Sequence, residues 1–519
     1  MDFIKAENNQ LLAGQTPVLL RGFGLGGWFL PEGYMWKLYT KCDRPRRMEE
    51  MLLNLCGDQY AESFWERYYD SYITEEDIEL IAKEGYNSVR LPLNARHLYT
   101  MDNGAVRMVP AMLERIDRLI NWCKARDVYV ILDIHGAPGG QTGQNIDDSE
   151  DDNPKLFIEE QYRIELIELW CQLALRYAEE PAVAGYDLLN EPLPNFFSQY
   201  NDGILPLYRR LIKAIREVDK KHLIILEGAH WATDFSIFQP FTPQEAKDNI
   251  MLQFHKYWSP PEQESLMEFI RHGERLNTPL FMGEGGENNL AWYTTIFPLY
   301  ERLGIGWSFW SYKKMDSKNS PVTFSVPEGW NKIIDWLDHN TPLGREEAIA
   351  IFDAFIQSIS SPILNREVFC ALNRQPPVTI PCEAFDACKI SSTRKPGADL
   401  RLSEPATLLF KNGKTGVPDY KHYGGSPEQE EENVIALLEK GDTLYYRFSV
   451  KDGGALCATL LGEGQGTLLV RCNEQEHIAL LDGYGEYQVI LGLLPKGEHI
   501  LELCCHDGSL RLDTITLST

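Results

Sequence analysis

The sequence predicts an α/β fold, a closed (β/α)8 TIM barrel, followed by an all-β sandwich. Three observations predict it. Eight short apolar runs alternate with helical patterns over about the first 340 residues. The residues suited to chemistry cluster at the C-terminal ends of those runs. The patterning then changes to short alternating strands. The runs are Val18–Arg21, Asn87–Leu93, Val128–Ile134, Val183–Leu189, Leu223–Leu226, Ile250–Phe254, Pro279–Gly283 and Ile305–Phe309. Between them, apolar residues recur at helical spacing, as in Met112-Ile116-Leu119-Ile120 and Ile164-Ile167-Leu169-Leu173. Near-continuous apolar strands separated by helices imply a parallel sheet covered on its outer side, and eight such units imply closure.

A helical stretch follows from Glu346 to about Phe369, and Asn373-Arg374-Gln375-Pro376-Pro377 reads as a linker. From Val378 the strands are short and punctuated by glycine, as at Thr443–Phe448 and His499–Leu503; only Asn433–Glu439 looks helical. The expected division is a catalytic barrel with terminal helices over 1–372, a linker over 373–377 and a β-sandwich over 378–519.

Composition removes several classes. Of 519 residues, 44% are hydrophobic, ample for a large core. The net charge of -26, with no basic stripe, argues against a nucleic-acid partner. Every apolar stretch falls short of the ~20 residues of a membrane span. The first residues, MDFIKAENNQ, lack the pattern of a signal peptide, and eleven cysteines without CxxC spacing read as reduced thiols. Both point to the cytoplasm, although a secreted protein stripped of its leader would read the same way.

Two glutamates end strands on opposite sides of the expected barrel: Glu191, in Asn190-Glu191-Pro192 after the fourth run, and Glu284, in Met282–Gly286 at the seventh. Such a pair, ~5 Å apart, is what retaining glycoside hydrolysis requires: an acid for the leaving oxygen and a carboxylate for the anomeric carbon. Asn190 can hold a sugar hydroxyl, Tyr257 and Arg90 can bond the nucleophile, and His135 and His255 can complete a polar floor. Arg90 is expected to hold the Glu284 carboxyl acidic. Trp310, ending the eighth run, is expected to expose an indole face to a pyranose, and the aromatic stretch Trp28–Trp36 to form a rim wall. The GxGxxG of Gly22–Gly27 is followed by no helix, which argues against a dinucleotide site. The histidines stand singly on different strands, so no metal is expected in catalysis.

Seven motifs taken in order resemble glycoside hydrolase family 5: Val18–Pro31, Ser88–Pro92, Asp133–Gly136, Leu189–Pro192, Gln253–Tyr257, Gly283–Gly286 and Trp307–Trp310. The resemblance implies a retaining mechanism with Glu191 as acid/base and Glu284 as nucleophile. It also implies sugar contacts for Arg90, His135, Asn190, His255, Tyr257 and Trp310, and no catalytic cofactor. The loop His135–Gln141 is similar to that of exo-β-1,3-glucanases, which points to Gln141 and Asn145 as further sugar contacts and to β-glucosides, gluco-oligosaccharides or glucan ends as substrate. Open alternatives are a β-mannan or other β-glycan hydrolase, a transglycosylase, and a non-catalytic carbohydrate-binding barrel.

The C-terminal segment resembles carbohydrate-binding modules of families 6 and 35 through Cys382–Phe385, Gly441–Tyr446 and Leu512–Ile515. That resemblance implies a structural calcium at Glu383 and Asp513, although Phe385 stands where a second acidic residue is expected.

Overall fold

The computed structural model describes residues 1–39 and 41–519, which fall into two compact units. The first comprises Met1–Lys256, Glu268–Gly285 and Gly304–Leu364. Its centre is a closed barrel of eight strands in sequence order: β1 (Arg21–Gly24), β2 (Ser88–Asn94), β3 (Tyr129–Gly136), β4 (Val183–Asp187), β5 (Leu223–Glu227), β6 (Ile250–His255), β7 (Leu280–Gly286) and β8 (Gly306–Trp310). From β8 through β1 to β7 the neighbouring strands pair in parallel, and β8 closes the ring on β1 at Trp307 and Arg21. The predicted fold class is therefore observed.

The first strand lies further along than its apolar run suggests. Val18 belongs to a separate three-stranded sheet (Ile4–Glu7, Gln10–Ala13, Thr16–Val18), and the barrel strand is the glycine-rich Arg21-Gly22-Phe23-Gly24. Close approach explains it: a Cβ on Gly22 would stand 1.6 Å from the Ser88 carbonyl oxygen of β2. From the small sheet, Ile4 and Leu11 pack on Leu20, Ile131, Ile225, Met251 and Phe281, forming an apolar cluster at the N-terminal end of the barrel. The hydrophobic effect thus stoppers one end, and polar side chains can gather only at the other. Helices such as α1 (Glu75–Lys83), α2 (Pro110–Lys124) and α3 (Glu160–Tyr177) bury their apolar stripes, and a Thr74–Asp77 capping box starts α1.

The second unit comprises Tyr257–Met267, Gly286–Leu303 and Asn365–Thr519. Its nine-stranded sheet is organised on two long antiparallel strands, β9 (Gly454–Cys472) and β10 (Gly497–Ser518). Asn433–Glu439 is not helical: Val434–Glu439 is a strand, because a run apolar on both sides suits a sheet interior. The expected linker is built into the unit. Arg374 is buried, donating to the carbonyls of Thr294 (2.6 Å) and Ala384 (2.6 Å) and pairing with Asp386 (2.7 Å). Among the described residues no helix is long and apolar enough to cross a membrane.

Candidate active site

Inward-facing positions of a strand recur every second residue, and the polar ones here lie towards the strand C-termini. Arg90 of β2 is completely buried among acceptors from four strands. Its guanidinium meets Glu284 Oε1 (2.5 Å), Asp187 Oδ2 (2.8 Å), Glu227 Oε1 (3.0 Å), Asp133 Oδ2 (3.1 Å) and Asn190 Oδ1 (2.8 Å). His255 of β6 places Nδ1 2.7 Å from Glu191 Oε1 and 3.7 Å from Glu284 Oε2, and Nε2 3.3 Å from Glu227 Oε1. Carboxylate oxygens of Glu191 and Glu284 and a ring nitrogen of His255 all lie within 4.8 Å of one another. His135 sits 2.8 Å from Asp133 through Nδ1 and 3.4 Å from the Asn190 amide through Nε2. The structure thus brings together Arg90, His135, Asn190, Glu191, His255 and Glu284.

The electrostatics differ from expectation at Glu284. Burial raises its carboxyl pKa even though His255 and Arg90 act to lower it, because desolvation outweighs the two cations. Glu227 goes the other way: burial is overcome by His255 and then Arg90, and its pKa falls to about 2. Burial would deprotonate His255, yet Glu227 and then Glu284 hold its pKa well above the usual value. His135 is lowered to about 4 by burial. Asp133 is raised to about 8, also by burial.

Trp310 is not an exposed platform. It is 4% exposed, stacks on the His135 ring (5.3 Å between centroids, 10° between planes) and donates through Nε1 to the Tyr34 hydroxyl (3.0 Å). The glycine motif of β1 explains the burial. A Cβ on Gly24 or Gly26 would come within 2.6 or 2.7 Å of the indole, so these glycines seat the ring. The expected rim is largely core as well: Trp28, Phe29 and Trp36 are fully buried, and Trp36 packs in a cluster with Tyr68, Trp330 and Phe355. Gln141 is fully buried, its amide donating to the carbonyls of His135 and Asn190 (both 2.8 Å) and its oxygen accepting from Ala137 N (3.0 Å). Its polar atoms therefore hold the loop. Asn145 is half-buried and opens the short turn Asn145–Asp147. Tyr257 follows Lys256, where the chain passes into the second unit, and packs on Trp258.

Four residues escaped sequence reasoning: Asp133, Asp187, Glu227 and Gln253. Gln253 bonds Asp187 (2.8 Å) and Glu227, and Gly283 makes room for it, since a Cβ there would lie 2.1 Å from its side chain. For two of them the signal was available, because Asp133 and Gln253 precede His135 and His255 by two residues and so share their face.

The calcium expected at Glu383 and Asp513 is not shown by the side chains described. Lys411 Nζ holds Asp513 at 3.1 Å, placing a cation on that carboxylate already. Among the described residues the two are not gathered with a third ligand at metal-binding distance.

The family description Cellulase (glycosyl hydrolase family 5) matches residues 53–316, half of the sequence. The chain belongs to this family. That bears out the resemblance carried by the seven motifs. The family 5 chain is 33% identical to a beta-xylosidase of Phanerodontia chrysosporium over 239 residues, which are 46% of this chain and 48% of that protein. It is 27% identical to endoglucanase C of Acetivibrio thermocellus over 324 residues, 51% of this chain and 91% of that protein. It thus spans about half the length of the first of these relatives. Among solved structures it is similar to a rutinosidase from Aspergillus niger, at 18% identity and a TM-score of 0.48, covering 58% of this chain and 91% of that one.

Proposed function

We propose that the chain is a retaining β-glycoside hydrolase acting by double displacement on β-glucosides, β-gluco-oligosaccharides or glucan ends. The observation that carries this reading is the approach of Glu191 and Glu284, with carboxylate oxygens within 4.8 Å. That spacing matches the ~5 Å of retaining sites and leaves no room for the water that an inverting pair, ~6.5–9.5 Å apart, must hold. Glu284 attacks the anomeric carbon while Glu191 protonates the leaving oxygen. Water then enters from the same face, with Glu191 as base, and releases the sugar from Glu284. Arg90 orients the nucleophile, Asn190 and His135 face the sugar hydroxyls, and Gln141 positions the loop that carries His135.

The β-glucosyl preference is supported by relatives named endoglucanase C and glucan 1,3-beta-glucosidase A. A β-xyloside is the second reading, favoured by the relative named beta-xylosidase. Eleven free cysteines support a reducing compartment. The decisive experiment pairs two variants. Glu284→Ala should abolish turnover of aryl β-glycosides while melting as a folded protein; near wild-type activity overturns the assignment. Glu191→Ala should recover activity on activated aryl glycosides when azide is added, yielding the β-glycosyl azide, and an α-product would exclude retention.

A further inference from the structure

Glu227, the last residue of β5, belongs to no motif that pointed to the reaction, yet it is completely buried and touches every part of the acid/base apparatus. Its Oε2 accepts the backbone N–H of Glu191 at 2.6 Å. Its Oε1 takes Arg90 Nη2 at 3.0 Å and the Gln253 amide, and stands 3.3 Å from His255 Nε2. The other ring nitrogen of His255 is 2.7 Å from Glu191 Oε1. Carboxylate, imidazole and carboxylate therefore form a line from Glu227 to Glu191. Glu191 also holds a left-handed backbone, φ 44°, which a non-glycine residue keeps only when its surroundings impose it.

We propose that Glu227 is a positioning residue for the acid/base, fixing the Glu191 backbone and holding His255 as a doubly protonated donor to the Glu191 carboxyl. The inference rests on the double-displacement reading. In the first step the Glu191 proton passes to the leaving oxygen as its bond to the anomeric carbon breaks and the Glu284 oxygen bonds that carbon. The Glu191 carboxylate left behind accepts from His255 Nδ1–H. In the second step water bonds the carbon, its proton returns to Glu191, and the Glu284 ester bond breaks. His255 keeps both protons throughout, and Glu227 is the counter-ion that lets it do so in a buried site. The charged groups facing His255 are Glu191, Glu227 and Glu284, with Asp133 and Arg90 behind them. Neutral His255 would instead turn a lone pair towards one of its carboxylates.

The test is Glu227→Gln, of nearly the same shape and without the charge. On a β-linked disaccharide kcat/KM should fall about 100-fold, the scale of general acid catalysis, and much less on a dinitrophenyl β-glycoside, whose leaving group needs no proton. The alkaline limb of the kcat/KM profile should move down by about one pH unit, because losing an anion weakens proton binding. Equal losses on both substrates with an unmoved limb would reduce Glu227 to a structural part and overturn the proposal. Should this variant fail to fold, the ring-nitrogen NMR signals of His255 in the wild type decide: imidazolium at pH 7 supports the proposal and neutral imidazole overturns it. Wild-type protein inert on both substrates would instead sink the glycosidase reading, and the His255 signals would still report on Glu227.

Discussion

Each unit gathers a group of carboxyls in one place, and the two groups differ in the cations that face them. In the barrel, Asp133, Asp187, Glu227 and Glu284 share one guanidinium, and Glu227 is held at about pKa 2 by His255 and Arg90 against burial. In the second unit, Glu383, Glu428 and Asp513 line one cavity of about 440 Å³. There Glu383 Oε2 has no hydrogen-bond partner, and burial, then Glu428, pushes that carboxyl well above its usual range. Burial likewise lifts Glu428 to about 7. A shared cation is thus not enough by itself: burial still raises Asp133 to about 8 and raises Glu284 although both meet Arg90, and of these three only Glu227, which is also hydrogen-bonded to His255, is pulled down to about 2. Only the first arrangement can deliver a nucleophile and a proton donor within one sugar's width.

The comparison breaks most severely at Arg90. Arg90→Met leaves four buried carboxyls without their shared cation, so chemical denaturation should show a loss of about 3–5 kcal/mol. A loss below 1 kcal/mol would mean that Arg90 contributes little to holding the cluster.

The second test uses pH. Glu428 has a folded pKa above its unfolded value, so its contribution is present at acid pH and is lost as pH rises from about 4.5 through about 7. Glu227 is depressed, so its contribution is present above about 4.5 and is lost as pH falls towards about 2. Glu428→Gln should flatten the alkaline decline and raise Tm at pH 8 by about 2–4 °C, the effect of ~1 kcal/mol in a domain of this size, while leaving the acid limb of a melting-temperature profile in place. An unchanged alkaline slope would remove Glu428 from the neutral set.

The smallest effect is expected at Lys411, whose side chain is 34% exposed beside Asp513. Lys411→Met should cost less than about 1 kcal/mol in denaturant titration, since solvent screens the pair. A cost like that of Arg90→Met would show that this pair is as well shielded as the buried Arg374–Asp386 pair of the same unit.

Legibility tracked the direction of each side chain. Arg90, His135, Asn190, Glu191, His255 and Glu284 were readable because polar residues closing apolar strands have one place to point. Asp187 and Glu227 also close strands but carry no motif, and only their contacts with Arg90 and Gln253 reveal them. Trp310 and Gln141 were read as facing sugar; the structure leaves Trp310 as little exposed as Glu284 and turns the polar atoms of Gln141 into its own loop, since exposure depends on neighbours distant in sequence: Gly24 and Gly26 for the indole, Asn190 for the amide.

By itself the sequence determined that eight strands would close into a barrel and which end would hold the carboxyl pair, because hydrophobic periodicity and strand direction are local properties. The tertiary structure alone decided which buried acids keep their charge, which aromatic rings are walls and which are core, and that Glu227 stands behind His255. Those outcomes depend on distances of a few ångströms between strands far apart in the chain, where the local dielectric and the nearest cation set the energy.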